Sequence, residues 1–393
     1  MNSSFDLQRA LPKHIKRLIN HHHPIEKWPN NGTSPLYLDK NESRFGTIGS
    51  DEEYHLYPDS DATELKTQLA EHKSVDISEI FLGNGSDEVI DILIRSFCTP
   101  GKDRVLFFTP TDTRLKRLAS LNNVVVDEVE LTNFFQLPTY NAGEAVREET
   151  KIVFVNNPNP ISGICIDKYN VLDLIGVLDL LDDFNGIIVI DESYIDYAED
   201  ESLLECIKSY ENIIIVQSFS RAWGLAGVRL GTAYGHPELI KVLDIVRPSY
   251  NVNVVAQRAA IKALQVPDNK ARVVSNTIKE RDRMVDVLSQ LKFVESVRPS
   301  DANFLLVETE RSELVLEYLR KEHIVVYDAS KLTNCQNCVR ITVGKPQDND
   351  EILQALSLLP KKTSPTRIFL KKVSTSLRKA SVFLGFFKKF LGS

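Results

Sequence analysis

The chain of 393 residues has few cysteines and no long apolar run. Its five cysteines are Cys98, Cys165, Cys206, Cys335 and Cys338. A small, odd number in a long chain favours free thiols in a reducing compartment over a disulfide-stabilised secreted fold. The opening "MNSSFDLQRALPKHIKRLI" carries charges where a signal peptide would be apolar, and no stretch of about 18 apolar residues follows. We therefore expect a cytoplasmic protein without a membrane-spanning helix.

Clustered metal ligands are also scarce. Cys335 and Cys338 form a single CxxC pair, and a zinc site of this type normally needs a second ligand pair. We expect two half-buried thiols beside a strand. The run His21 to His23 lies in a polar segment next to Pro24, where a solvated stretch is the simpler interpretation. The sequence therefore predicts no metal site.

An excess of positive charge is missing as well. The net charge is −7, which argues against nucleic acid as the main partner. Hydrophobic residues make up 42% and charged residues 26% of the chain, as in soluble globular proteins. The length allows one large domain and a smaller one.

What is present is an alternation of apolar, β-branched runs with helix-like stretches. Runs such as "KIVFVNN", "GIIVIDES" and "NIIIVQSF" predict buried strands of a mostly parallel α/β sheet with helices on both faces. A smaller α+β unit with the order strand–helix–strand–strand–helix follows. The first 35 residues, broken by four prolines, predict an irregular arm. The predicted units are an N-terminal arm at 1–45, a large α/β domain at 46–250, a small α+β domain at 251–360 and a tail at 361–393.

The tail contains lysine and arginine but no acidic residue. Apolar residues at three- and four-residue steps, from Leu370 to Leu391, would form one stripe on a helix. A basic amphipathic helix with several phenylalanines can lie on an anionic membrane surface. Packing on a protein partner or on the body of the chain itself is the alternative, and the sequence does not decide between them.

Three loops carry residues suited to a phosphate or a protonated ring. "GNGSDE", from Gly83 to Glu88, follows a strand and opens a helix, whose N-terminus favours an anion; a structural turn is the alternative. "VIDESYIDY" ends a buried strand with an acid that could face a protonated ring nitrogen or cap a helix. "QSFSRAWGLAGVRLG", residues 217–231, is predicted to be a small-residue turn that opens a helix. Since parallel strands end at one edge of a sheet, we expect the three loops to surround one phosphorylated, nitrogen-containing ring.

These segments resemble the fold-type I pyridoxal-phosphate aminotransferases, and among them the histidinol-phosphate aminotransferases. The resemblance runs from "LYLDKNESRFG" to "LSLLP", and "PSDANFLLV" and "CVRITVG" also carry it. It implies a large domain with a mostly parallel sheet, a smaller α+β domain, pyridoxal 5′-phosphate as cofactor, and a homodimer with active sites at the subunit interface. A small anionic amine or phosphate would be the ligand.

The resemblance also implies roles for individual residues. Asp191 would keep the pyridine nitrogen protonated, and Tyr194 would donate to the phenolic oxygen of the ring. Tyr57 would reach the phosphate of the neighbouring subunit, and Arg340 would face an anionic group of the substrate. The phosphate would be held by Gly85, Ser86, Asp87, Ser218, Ser220 and Arg229.

Four positions depart from the family pattern. Arg221 stands where the family has the lysine that holds the cofactor covalently. Pro160 replaces an asparagine that bonds the ring oxygen, and Leu115 replaces the aromatic residue that stacks on the ring. The basic strand end that meets the substrate reads "VYDA", residues 326–329. The lost basic positions put histidinol phosphate itself in doubt as the substrate.

The exchange at Arg221 bears directly on catalysis. The family lysine acts as a nucleophile and as a general base, and both roles require an uncharged amine. A guanidinium stays protonated and charged at neutral pH. Two hypotheses follow. In the first, transaminase activity is lost or severely impaired, and the protein retains a site for a pyridoxal-phosphate-type ligand that is held non-covalently if it binds. In the second, the protein is an aminotransferase that works with another base. An isolated change in an otherwise working enzyme is a third explanation, which four altered positions disfavour.

Overall fold

A computed structural model of the protein describes residues 5–21, 36–181 and 184–359. Its largest feature is a seven-stranded sheet with the strand order β1-β7-β6-β5-β4-β2-β3. The strands are β1 (Ile80–Gly83), β2 (Arg104–Thr109), β3 (Val125–Glu130), β4 (Thr150–Asn156), β5 (Ile187–Asp191), β6 (Ile213–Ser218) and β7 (Gly231–Gly235).

The predicted mostly parallel sheet is confirmed. Neighbouring pairs among β2 to β6 run parallel, whereas β7 is antiparallel to both β6 and β1. Every residue of β5 and of β6 is buried, as expected for strands covered on both faces. The strand order reverses between β2 and β4, which is where open α/β sheets place their ligands.

Helices cover both faces of the sheet, and the residues between helices and sheet form two apolar clusters. α9 packs against α3, and both contribute to one apolar cluster, with Ala256 and Ala260 from α9 and Leu65 and Leu69 from α3. The domain boundary predicted at residue 251 instead assigns α9 to the small domain. The helices of this part of the chain are α1 (Leu7–Ala10), α2 (Lys13–Asn20), α3 (Thr63–Lys73), α4 (Gly85–Phe97), α5 (Thr113–Leu121), α6 (Thr139–Ala145), α7 (Lys168–Asp179), α8 (Pro237–Val246) and α9 (Val254–Leu264).

The irregular arm predicted for the first 35 residues is wrong for residues 5–21, which contain α1 and α2. Pro12 occupies the N-cap of α2 and so precedes the helix rather than breaking it. Leu11 and Ile15 are buried in the same apolar cluster as Leu239 and Leu243 of α8. Tertiary burial therefore stabilises two helices that are too short to form alone.

The smaller unit is a four-stranded antiparallel sheet with the order β10-β11-β9-β8 and three helices. The α+β character is confirmed, but two strands rather than one precede α11, because the backbone leaves the sheet between residues 297 and 304. The elements are β8 (Val294–Val297), β9 (Phe304–Thr309), β10 (Tyr327–Asp328), β11 (Cys338–Thr342), α10 (Pro267–Leu288), α11 (Ser312–Lys321) and α12 (Pro346–Ser357).

Segment 217–231 does not open a helix, contrary to the prediction. It leaves β6, forms turns and a short 3-10 helix at Ala226–Val228, and enters β7. Arg229 adopts a left-handed conformation with φ of 59° directly after that turn. The backbone therefore doubles back along β6, which gives the antiparallel β6–β7 pair.

Cys335 and Cys338 are buried rather than half-buried, and no group of metal ligands occurs among the described residues. His21 ends α2, while His22 and His23 lie outside the described residues, as does the tail at 361–393. Within the described ranges, no helix is long and apolar enough to cross a membrane.

Candidate functional site

One cleft lies at the carboxyl ends of the parallel strands. Asp112 follows β2, Asn156 ends β4, Asp191 ends β5 and Ser218 ends β6, and all four line this cleft. Of the residues predicted from the sequence, those that line it are Ser86, Asp87, Asp191, Tyr194, Ser218, Ser220, Arg221 and Arg229. The structure therefore brings most of the predicted site residues together.

One end of the cleft is rich in hydrogen-bond donors. α4 begins at Gly85, so the first-turn N–H groups of a 13-residue helix face this end. The side chains of Ser86, Ser218, Ser220 and Arg229 surround it. Backbone N–H groups, hydroxyls and a guanidinium are the donors that bind phosphate oxygens in proteins. We call this the phosphate end.

Two glycines permit the close packing of the phosphate end. Gly85 has φ of 75°, and a Cβ there would lie 2.5 Å from a guanidinium nitrogen of Arg229. A Cβ on Gly231 would lie 2.4 Å from the backbone nitrogen of Ser86. A larger residue at Gly231 would therefore push α4 away from β7, whereas at Gly85 it would displace the Arg229 guanidinium and strain the backbone.

Four charged residues of the cleft lining are connected by ion pairs. The Arg114 guanidinium donates to Asp112 at 2.7 Å and to Asp87 at 2.6 Å, and Arg229 approaches the other oxygen of Asp87 at 3.4 Å. Neither Arg114 nor Asp112 was predicted from the sequence to be a site residue. Asp112 caps α5 by accepting from the backbone N–H of Arg114, so its sequence context indicates only a helix start.

Asp191 is the buried acid of the cleft. Its Oδ1 accepts from the N–H of Ser193 at 3.0 Å and from the hydroxyl at 2.5 Å, and its Oδ2 accepts from Asn156 at 3.2 Å. Burial raises the pKa of Asp191, while the hydrogen bonds from Ser193 and the positive charge of Arg114 act in the opposite direction. Asn156 and Ser193 also went unpredicted, since neither stands out in the sequence.

Arg221 and Tyr194 also line the cleft and lie next to each other. The guanidinium carbon of Arg221 lies 5.2 Å from the centre of the Tyr194 ring. Arg221 is exposed, and its side chain makes no hydrogen bond or ion pair with a residue in the described ranges. The lining residues that the structure describes include Arg114, Arg221 and Arg229 but no lysine. The lining residues Arg221, Tyr194, Leu115 and Pro160 are together called the reaction end below.

Leu115 and Pro160 both line the cleft. Leu115 is 3% exposed and belongs to an apolar cluster, so it contributes an aliphatic rather than an aromatic surface. The carbonyl of Pro160 accepts a hydrogen bond from Arg340. Pro160 thus connects the cleft to the smaller sheet.

Tyr57 and Arg340 do not line the cleft. Tyr57 is 53% exposed, and its ring stacks on Tyr250 with centroids 4.6 Å apart. The Arg340 guanidinium lies 4.3 Å from the Tyr327 ring centre and 5.0 Å from that of Phe304. Within the "VYDA" strand end, Ala329 is fully buried.

The sequence of this chain matches the family model described as "Aminotransferase class I and II" over residues 29–356. The chain belongs to this aminotransferase family. It is 37% identical to a histidinol-phosphate aminotransferase of Cytophaga hutchinsonii over 353 residues, which cover 90% of this chain and 99% of the relative. It is 39% identical to another of Parabacteroides distasonis, over 83% of this chain and 91% of the relative.

Solved structures confirm the aminotransferase fold. The histidinol-phosphate aminotransferase of Clostridium acetobutylicum gives a TM-score of 0.70 at 24% identity, over 77% of this chain and 90% of that one. That of Sinorhizobium meliloti, in complex with pyridoxal-5′-phosphate, gives 0.71 at 21% identity, over 81% and 89%. The likeness to both structures shows the fold, and the Sinorhizobium meliloti protein is the one with a bound cofactor.

The cleft of this chain fits the non-covalent parts of such a cofactor. The cradle at Gly85 and the hydroxyl, guanidinium and helix N–H donors suit its phosphate, and the buried carboxylate of Asp191 suits a protonated ring nitrogen. The cleft does not fit covalent attachment, because none of its described lining residues has an amine side chain.

Proposed function

We propose that this protein binds a phosphorylated, nitrogen-containing ring of the pyridoxal-phosphate type without a covalent bond, and that its transaminase activity is lost or severely impaired. The supporting observation is the absence of a lysine from the described lining of a cleft that otherwise contains phosphate donors and a buried acid. In this proposal Arg221 stands at the position of the family's cofactor-binding lysine.

In this proposal, different cleft residues bind different parts of the ligand. Ser86, Ser218, Ser220 and Arg229 hold the phosphate, and Asp191 holds the ring nitrogen. When bound, a cofactor of this type supplies an electron-withdrawing ring. Arg221 cannot accept a proton at neutral pH, because a guanidinium is already protonated there. Loss of a general base alone typically lowers a rate by about 10²–10⁴-fold.

The second candidate is a working aminotransferase that acts on an amino acid or a histidinol-phosphate-like substrate. The identity to histidinol-phosphate aminotransferases and the placement of Asp191, Tyr194 and Arg229 in one cleft favour it. It requires a different amine. Lys73 is a candidate, since burial and the charge of Lys270 lower its pKa against the opposing effect of Asp196, but it does not line the cleft.

Reduction with borohydride separates the two candidates. Purified protein is mixed with pyridoxal 5′-phosphate, its absorbance is recorded, and borohydride is added before intact-mass and peptide analysis. We expect bound ligand that dialysis removes after reduction, and no turnover of histidinol phosphate with 2-oxoglutarate. A reduced adduct on Lys73 or on any other lysine, together with transamination, would establish the working enzyme instead.

Members of the family are typically homodimers. We propose the same assembly here, with Tyr57 contributing to the partner's phosphate site, because its exposed ring lies outside the cleft of its own chain. The tail at 361–393 remains a proposed contact with a membrane surface or a protein partner. Co-sedimentation with anionic vesicles, with and without residues 361–393, tests the membrane contact, and equal sedimentation would remove it.

A further inference from the structure

The cleft carries a cation whose charge no described residue balances. Arg114 and Arg229 both pair with Asp87, and Arg114 also pairs with Asp112, so these two arginines and two aspartates neutralise one another. Arg221 forms no ion pair with a described residue, and its guanidinium carbon lies 5.2 Å from the centre of the Tyr194 ring. A guanidinium held against an aromatic face retains its N–H donors for a further group.

The phosphate end does not require Arg221. An anion there would be bound by Arg229, by the hydroxyls of Ser86, Ser218 and Ser220, and by the N-terminus of α4. Arg221 lies instead beside Tyr194, and Asp87 forms its ion pairs with Arg114 and Arg229. Asp191 and the phosphate end would fix a ring at two points, so Arg221 would meet a third substituent of that ring.

We propose that Arg221 is a binding site for a second anionic group, and that the natural ligand is a phosphorylated pyridine with a carboxylate where pyridoxal phosphate has its aldehyde. This inference rests on the proposed function, since the ring and the phosphate orient the ligand. A guanidinium matches a carboxylate in charge and can donate two parallel hydrogen bonds to it. It repels an ammonium group at the same position.

The test measures dissociation constants by isothermal titration calorimetry at pH 7. The probes are 4-pyridoxic acid 5′-phosphate, pyridoxamine 5′-phosphate, and 4-pyridoxic acid without phosphate. We expect the wild-type chain to bind the phosphorylated carboxylate at least about tenfold more tightly than the phosphorylated amine, as one charge-assisted pair contributes about that factor.

Variants assign this preference to Arg221. In Arg221→Gln we expect the two phosphorylated probes to bind within about threefold of each other, and in Arg221→Lys the preference should partly return because the positive charge does. Arg117→Gln is the matched control, because Arg117 is exposed on α5 and does not line the cleft. Circular dichroism verifies that each variant is folded.

The outcomes separate this inference from the proposed function. Equal binding of the two phosphorylated probes by the wild-type chain, or a preference that survives in Arg221→Gln, overturns the inference and leaves the phosphate site in place. If removing the phosphate does not weaken binding of the carboxylate, the phosphate end is wrongly assigned. If no probe binds, both proposals fail.

Discussion

The two ends of the cleft differ in how their residues are held. At the phosphate end, Gly85 and Gly231 permit contacts that no other residue would allow, and Arg229 is fixed by a left-handed turn and by Asp87. At the reaction end, Arg221 is exposed, lies against the ring of Tyr194 and forms no ion pair with a described residue. The phosphate end is thus built into the fold, whereas the exposed Arg221 at the reaction end can change without altering the backbone.

This difference is consistent with the proposed loss of transaminase chemistry in a chain that matches an enzyme family. Exchanging an exposed side chain such as Arg221 costs little stability, because few contacts are lost. Exchanging a glycine at φ of 75° introduces backbone strain and a steric clash. Loss of catalysis at one end is therefore compatible with full retention of the phosphate site at the other.

The largest expected effect is the gain of covalent capture in Arg221→Lys. If the phosphate end and Asp191 still orient the ring, an amine at position 221 meets the aldehyde of pyridoxal phosphate. We expect borohydride to fix about one ligand per chain in this variant and none in the wild type, measured by intact mass. Arg117→Lys on the surface of α5 is the control.

Turnover should remain low in Arg221→Lys, because Leu115 and Pro160 still replace a stacking ring and an amide. Rates comparable to those of a family enzyme would show that position 221 alone accounts for the loss. Failure of the lysine variant to capture any ligand would show that the phosphate end does not orient a ring.

The next effect concerns Arg229→Gln at the phosphate end. Removing a charged donor to the phosphate should cost about 1.5–3 kcal/mol, or about 10–100-fold in Kd for a phosphorylated pyridine. Calorimetry with pyridoxamine 5′-phosphate measures this loss, with Arg117→Gln as the control. A change below threefold would mean that Asp87 already withdraws Arg229 from the ligand.

A third prediction addresses the packing beneath the phosphate end. Gly231→Ala should lower the free energy of unfolding by about 1–3 kcal/mol, since its Cβ would meet the backbone of α4. Gly227→Ala is the matched control, because a Cβ there would have nothing within 4 Å. Urea unfolding compares the two, and equal stability of both variants would contradict a rigid phosphate end.

The smallest expected effect is that of Asp191→Asn. Burial raises the pKa of Asp191 in the folded chain above the ordinary 3.8, so its contribution to stability is present below that pH and is lost as pH rises through the folded pKa. Asparagine does not titrate. We therefore expect the variant to gain about 1 kcal/mol over the wild type near pH 7, and less as pH falls toward about 4.

Urea unfolding between about pH 4 and pH 8 measures this difference. Asp173→Asn is the control, because Asp173 is exposed on α7. A pH-independent difference would show that the hydrogen bonds from Ser193 and Asn156 fully compensate for the burial of the carboxylate.

Several parts of the fold could be predicted because their signals are local. The runs "GIIVIDES" and "NIIIVQSF" predict strands that the structure confirms as β5 and β6. α1 and α2 could not be predicted, because their stability depends on packing against α8. The direction of segment 217–231 was also missed, since its small residues permit both a helix start and a return along β6.

The sequence alone determined which side chains end the parallel strands, because β-branched runs and the polar residues that follow them are read in order along the chain. It also determined that position 221 carries a permanent charge, which is a property of the guanidinium itself. Only the tertiary structure decided that Arg114 lines the cleft and pairs with Asp87. It also decided that Arg340 lies outside the cleft lining and donates a hydrogen bond to Pro160, which belongs to that lining. Finally, it left Arg221 without an acidic partner among the described residues. Those facts depend on distances between residues far apart in the chain, which packing sets and local pattern does not.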